Sequence, residues 1–338
     1  MTTGPDILYR YRDAIEREVS RSLPANDSPL DEMLRSDFGW TEEGLPSLAK
    51  CLRPSLCLMA CEALGGNTEQ ALPIAVAVEL VHNFSLIHDD IEDGDEMRHH
   101  RPALWHAYGR QPAIFAGIAL WSIANQTLDR ALERGLSAER VLAARRILND
   151  ACLEMIEGQH QDLSFEERDD VTLPEYLEMI GRKSGALLGA ALQLGALVAG
   201  CDEEECERFD TFGRQLGLAF QIRDDVLGIW GEGSATGKPV GADIARKKKS
   251  LPVVHAFQQV VGPDRDILLE AYAKDEVDDG DIAEVLSILQ RWNCRYFAQG
   301  LAEDYRARAM EELSRTPISP EARRSFDELM SFVLERDY

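Results

Sequence analysis

Twice along this chain an apolar run with helical spacing closes on a cluster of carboxylates. The first carries Leu80, Val81, Phe84 and Ile87 into Asp89-Asp90-Ile91-Glu92-Asp93, and the second carries Phe220 and Ile222 into Asp224-Asp225. A helix has about 3.6 residues per turn, so Asp89 and Asp93 share a face and Asp90 lies about 100° around it. Carboxylates packed that closely repel and raise one another's pKa. A hard divalent cation removes the repulsion. Oxygen-only donors suit Mg²⁺, which takes one or two carboxylates and completes its shell with substrate phosphates. One acidic cluster alone reads most simply as a solvated helix end. Two of the same design, about 135 residues apart, ask for facing helices, and sites of that kind are built inside helical bundles.

Cations follow each cluster. Arg98-His99-His100-Arg101 comes after the first, and Lys238 and Arg246-Lys247-Lys248-Lys249 after the second. Carboxylates that hold metals, metals that hold phosphate oxygens, and Lys and Arg for the remaining charge together make a receptor for Mg²⁺-diphosphate.

The rest of the chain agrees with a bundle. Apolar residues recur at helical period over 7–23, 47–64, 69–93, 113–135, 138–162, 173–200 and 203–230, and again in five segments between 250 and 336. No alternating strand pattern exceeds four residues. The expected fold is all-α, a single domain over residues 1–338, with Pro29 opening a helix and Gly65-Gly66 closing one. No apolar run is read as reaching the ~18 residues of a membrane span. The opening MTTGPDILYRYRD lacks the apolar core of a secretory leader, so a cytoplasmic location is expected. Seven cysteines without a CxxC pair read as reduced core thiols. A net charge of −24 argues against nucleic acid and anionic membrane partners, so any diphosphate site must be a local concentration of cations.

These motifs resemble those of the trans-isoprenyl diphosphate synthases, the polyprenyl synthetase family, over about residues 50–252. LIHDDIED is similar to the family's first aspartate-rich motif, and QIRDDVLG with TGKPVGADI to its second motif and trailing lysine loop. The resemblance implies a helical bundle around a deep central cavity, a homodimer, and head-to-tail condensation of isopentenyl diphosphate with an allylic diphosphate. It also implies Mg²⁺ as cofactor, three ions with bound diphosphate, and a departing pyrophosphate that takes the proton. By the same resemblance Asp89, Asp90, Asp93, Asp224 and Asp225 serve the leaving group through Mg²⁺. Arg98, Lys183, Lys238 and Lys248 serve as direct cations and Gln221 as a polar donor.

Lys50-Cys51-Leu52-Arg53-Pro54 resembles the family's anion-binding GKRxRP, which assigns Lys50, Arg53, His82, Arg98 and His99, with Arg101, to the second diphosphate. Lys183 would otherwise be an ordinary edge lysine whose stem lies along apolar surface, and His82 an ordinary core histidine. Gln159 and Asp162 are expected to orient the lysines. Phe84, five residues before the first motif, fits the short-chain pattern: a C20 product, with C15 next.

Three departures stand out. His99 occupies the place of a second Arg, and unlike Arg it is mostly neutral at pH 7. Gly228 occupies the place of the second motif's third Asp, leaving Asp243 as a nearby acid. Ala49-Lys50-Cys51 has one cation fewer than GKR. A class I terpene cyclase would carry a different second motif and have no need of Lys50 or Arg53. A head-to-head synthase would carry DxxxD-like clusters. A non-catalytic regulatory subunit would explain His99 and Gly228 but not the retained first cluster, Lys183 and Lys238.

Overall fold

The computed structural model describes residues 9–24, 26, 28–40, 51–98, 101–231 and 239–335. Among them the fold is all-α. In chain order the helices are α1 (Arg12–Ser22), α2 (Pro29–Asp37), α3 (Leu52–Ala63), α4 (Thr68–Asp93), α5 (Leu104–Tyr108), α6 (Arg110–Glu133), α7 (Ala138–Glu166), α8 (Leu173–Ile180), α9 (Ala186–Ala199) and α10 (Glu203–Trp230). There follow α11 (Ala242–Ala245), α12 (Leu251–Gln259), α13 (Pro263–Ala273), α14 (Asp279–Arg291), α15 (Cys294–Ser314) and α16 (Pro320–Glu335). The described residues contain strand only in a two-residue hairpin, β1 (Met97–Arg98) with β2 (Arg101–Pro102), pairing Arg98 with Arg101.

Two compact units emerge. The first comprises Met1–Cys152, Leu187–Asp210 and Thr316–Ser325; the second comprises Leu153–Ala186, Thr211–Arg315 and Phe326–Tyr338.

In the first unit α4 is the core helix, with Ile74, Val78 and Leu80 fully buried. Asn67 caps its start by accepting from the Glu69 N–H at 3.0 Å. Pro73 cannot donate to the carbonyl of Glu69, four residues back, and Arg134 Nη1 from beyond α6 donates to that oxygen instead, at 2.8 Å. By length and composition α4 could cross a membrane, contrary to the expectation that no run is long enough. Its apolar stretch is 72% buried inside the protein, as befits a core helix. The Gly-Ala face of α9 explains its composition: a Cβ on Gly195 would lie 2.2 Å from the Cys57 carbonyl of α3, so only glycine lets the two backbones approach.

The second unit holds two apolar clusters. One gathers Tyr176, Met179 and Ile180 of α8 with Ile222 and Val226 of α10, Leu251 and Val254 of α12, and Ala298 of α15. The other gathers Ile229, Ile244, Val253, Phe257, Leu268, Tyr272 and Ile288. Thr172 opens α8 with a capping box to Glu175.

The sequence reading of one unbroken helix over 173–200 needs a correction. Between α8 and α9 the chain makes a π turn over Gly181–Gly185, for which side-chain periodicity gives little signal because apolar runs flank its Gly-Arg-Lys-Ser-Gly on both sides. Six of the seven cysteines are buried free thiols and Cys201 is partly buried, as expected.

Candidate active site

Gly94, at φ 67, ends α4 and turns the chain into the hairpin. That return brings Arg98 back onto the helix it has just left. Its Nε and Nη2 both donate to Asp90 Oδ1, at 2.7 and 2.6 Å, and Nη2 lies 3.5 Å from Asp89 Oδ2. Asp90 is only 4% exposed. Burial raises its pKa and Arg98 opposes that rise. The three acids of the first motif are therefore unequal. Asp90 turns inward to hold Arg98, while Asp93 is exposed and Asp89 partly so, one turn apart on a common face.

Arg53 lies beside His82, Nη1 to Nε2 at 3.0 Å. A guanidinium has only donors, so this ring nitrogen accepts and His82 is neutral in this arrangement. Glu79 is 6% exposed. Burial raises its pKa, opposed by Arg53 and by the Asn83 amide. Phe84 is buried and meets the His88 ring edge-on at 4.9 Å. The His88 ring in turn lies over Gly117 of α6, where a Cβ would fall 2.4 Å from Nε2.

One acid here escaped the sequence reading. Asp37, at the end of α2, lines a cleft with Asn83, Arg98, Arg101 and Tyr108. Burial first, then the nearby Asp90, pushes its carboxyl up to about 7 against the pull of Arg101 and Arg98. An isolated Asp ending a helix carries no spacing signal.

In the second unit the π turn arranges Lys183 and Ser184. Lys183 Nζ pairs with Asp162 of α7 at 2.6 Å. Burial pushes the Asp162 carboxyl up, yet Lys183 and Lys248 hold it below its ordinary range. Two glycines admit the widened turn: a Cβ on Gly158 would lie 2.3 Å from the Lys183 nitrogen, and one on Gly217 would lie 2.6 Å from Gly185 Cα. Ser184 Oγ donates to Gln221 Oε1 at 2.7 Å, and Gln221 Nε2 donates to Asp225 Oδ1 at 3.3 Å.

Asp225 is 1% exposed, and its Oδ2 accepts from the Tyr176 hydroxyl and from the Leu251 N–H. Burial pushes its carboxyl up to about 6, against Lys248 and these donors. Asp224 is partly exposed. Each aspartate cluster thus has one buried acid tied into the protein and at least one turned toward solvent. Asp243, from α11, lies against Gly228. Lys50, His99 and Lys238 lie outside the described residues.

Among the described residues no three His, Cys, Asp or Glu side chains come together closely enough to enclose a metal. The exposed or partly exposed carboxylates Asp89, Asp93 and Asp224 offer hard oxygen donors, the donor type that suits Mg²⁺, which keeps waters and takes phosphate oxygens.

Comparison with known proteins gives the family. The polyprenyl synthetase family profile matches residues 42–289. A short chain isoprenyl diphosphate synthase of Methanothermobacter thermautotrophicus is 38% identical over 98% of both chains. A (2E,6E)-farnesyl diphosphate synthase of Mycobacterium tuberculosis is 36% identical over 92% of this chain and 87% of its own. Among solved structures, the geranylgeranyl pyrophosphate synthetase of Pyrococcus horikoshii superposes with a TM-score of 0.88 at 35% identity, covering 98% of each chain.

Proposed function

Because this chain belongs to the polyprenyl synthetase family, we propose how its own residues carry out the prenyl transfer of that family. It is a short-chain prenyltransferase. The allylic C–O bond breaks to release pyrophosphate, the double bond of isopentenyl diphosphate attacks the allylic carbon, and loss of a proton leaves a longer all-trans diphosphate. We infer a C20 product, with C15 next, a reading supported by relatives named for farnesyl and geranylgeranyl products and by the buried Phe84.

The family is Mg²⁺-dependent in general, and the bound ions, three in our reading, would stabilise the charge that develops on the leaving pyrophosphate. Asp89 and Asp93 would hold metal from the first motif and Asp224 from the second. Asp90 and Asp225, tied to Arg98 and to Tyr176, fix the direction of those neighbours. Lys183, Lys248 and Lys238 are assigned to leaving-group oxygens. Arg53 and His82, with Lys50 and His99, are assigned to the second diphosphate. Arg53 Nη1 holds His82 in place beside it, so the two are positioned as a pair. Phe84 and its apolar neighbours keep water from the carbocation.

The observation that carries this reading is the hold of Arg98, through two donors, on Asp90 Oδ1, which fixes a cation beside Asp89 on the face that Asp89 shares with Asp93. The test is a product assay with Mg²⁺, isopentenyl diphosphate and dimethylallyl, geranyl or farnesyl diphosphate in turn, sizing the dephosphorylated alcohols. A linear C15 or C20 alcohol is expected. Cyclic hydrocarbon or bare hydrolysis would overturn the reaction class.

The protein acts in our reading as a cytoplasmic homodimer and one catalytic domain. Support for the dimer comes from α6, where Ile114, Phe115, Ile118 and Trp121 are 39%, 64%, 50% and 42% exposed at helical spacing.

A further inference from the structure

In sequence Arg246-Lys247-Lys248-Lys249 is one basic run; in the structure its members have separate environments. Lys247 is a non-glycine residue at φ 56, and its Nζ donates to the Lys274 carbonyl at 2.7 Å. The Lys248 N–H donates to the Asp243 carbonyl at 2.9 Å. Lys249 is 4% exposed: its ammonium lies 4.9 Å from the ring centre of Phe257 and 4.8 Å from that of Tyr272, and it pairs with Asp169 at 2.9 Å. Two residues on, the Leu251 N–H is bound to Asp225. The backbone of Lys248 is therefore fixed on both sides.

Stability alone gives little reason for a lysine at 249. A buried ammonium is costly to desolvate, and a cage of two aromatic faces would take a methionine without that cost. What the charged group adds is a tether of defined direction. Asp169 stands in the segment between α7 and α8, just beyond the end of the helix that carries Asp162. The Lys249–Asp169 pair thus joins the basic loop to the segment following Asp162. Asp162 is the acid on which Lys183 and Lys248 both act.

We propose that Lys249 is a positioning residue for Lys248: caged by Phe257 and Tyr272 and tethered to Asp169, it holds the loop so that Lys248 meets a diphosphate beside Lys183. The inference rests on the reading of Lys248 as a diphosphate-binding cation, and its experiment separates the two.

The experiment is calorimetric binding of inorganic pyrophosphate in Mg²⁺ to the full-length protein, with melting curves and KM and kcat for the allylic diphosphate. Lys249→Met fills the cage without the tether. It is expected to melt as the parent does, to bind pyrophosphate about fivefold more weakly, and to raise KM more than it lowers kcat. Lys249→Arg, which suits both aromatic faces and a carboxylate, should restore affinity to within about twofold. Asp169→Asn, at an exposed position that leaves the cage filled, should shift affinity in the same direction without altering the melt. Parent affinity in both Lys249→Met and Asp169→Asn, while Lys248→Ala binds weakly, overturns the positioning role alone. Parent affinity in Lys248→Ala overturns the reading of Lys248 and the inference with it.

Discussion

A Cβ added to Gly228 would lie 2.1 Å from Asp243 Oδ2, so a carboxylate from α11 already occupies the space where the family's second motif places its third acid. That helix is docked there by the Gly241 N–H, which donates to the Ile229 carbonyl at 2.9 Å. Restoring the family residue with Gly228→Asp should therefore harm the protein. Overpacking and like-charge contact should cost about 1–3 kcal/mol, relieved in the double variant with Asp243→Gly. Thermal denaturation of the two variants checks this; an unchanged melt for Gly228→Asp alone would contradict it.

Asp89→Ala and Asp224→Ala remove the partly exposed acids assigned above to metal. Turnover should fall by about 100-fold or more, the scale seen when a group stabilising transition-state charge is removed. Melting temperatures should stay near the parent value. Full activity in either variant would end the metal assignment for that cluster.

Phe84→Ala should lengthen the product, because the ring beside His88 is the large buried side chain one turn before Asp89. The cavity should also cost about 3 kcal/mol of stability. Chromatography of the dephosphorylated alcohols decides the matter: an unchanged product spectrum would put the floor elsewhere.

The carboxyl of Asp37, raised from 3.8 to about 7, carries a sign for the pH dependence of stability. Between those values the unfolded chain has released its proton while the folded chain keeps it, so this group makes stability fall as pH rises through that range. Below it both states are protonated; above it the loss is complete. Asp37→Asn should flatten that part of the profile and gain about 1–2 kcal/mol at pH 8, allowing for partial exposure. Melts from pH 4.5 to 8 in metal-free buffer would reveal it, and parallel profiles would refute it.

Phe115→Asp places a charge on the exposed face of α6. If that face joins two copies, the dissociation constant should rise about 30-fold or more. Sedimentation across a dilution series measures the change, and a parent profile would move the contact to another surface.

Periodicity was enough to find Asp89 and Asp93 on one face and to place α4 and α10, because both depend only on near neighbours in sequence. The inward turn of Asp90 depends on the hairpin that returns Arg98, and two paired residues per strand leave no alternation to detect. The burial of Asp225 depends on Tyr176, 49 residues earlier, and on Leu251, 26 residues later. Neither bears any local mark of its role. Likewise Gln221, read as a phosphate or water donor, has its amide committed to Ser184 and Asp225. In sequence Lys249 is one more cation of the basic run, because its cage is assembled from α12 and α13.

The hold of Arg98 on Asp90 and Asp89 also bears on how the first motif takes up an ion. The chain supplies its own counter-ion there, on a tether of a few residues, so in the proposed function a metal at Asp89 would have to share that carboxylate with a guanidinium already bound to it. A diphosphate arriving with the metal gives that guanidinium a new anion to hold. Metal and diphosphate should therefore load together far more readily than either alone.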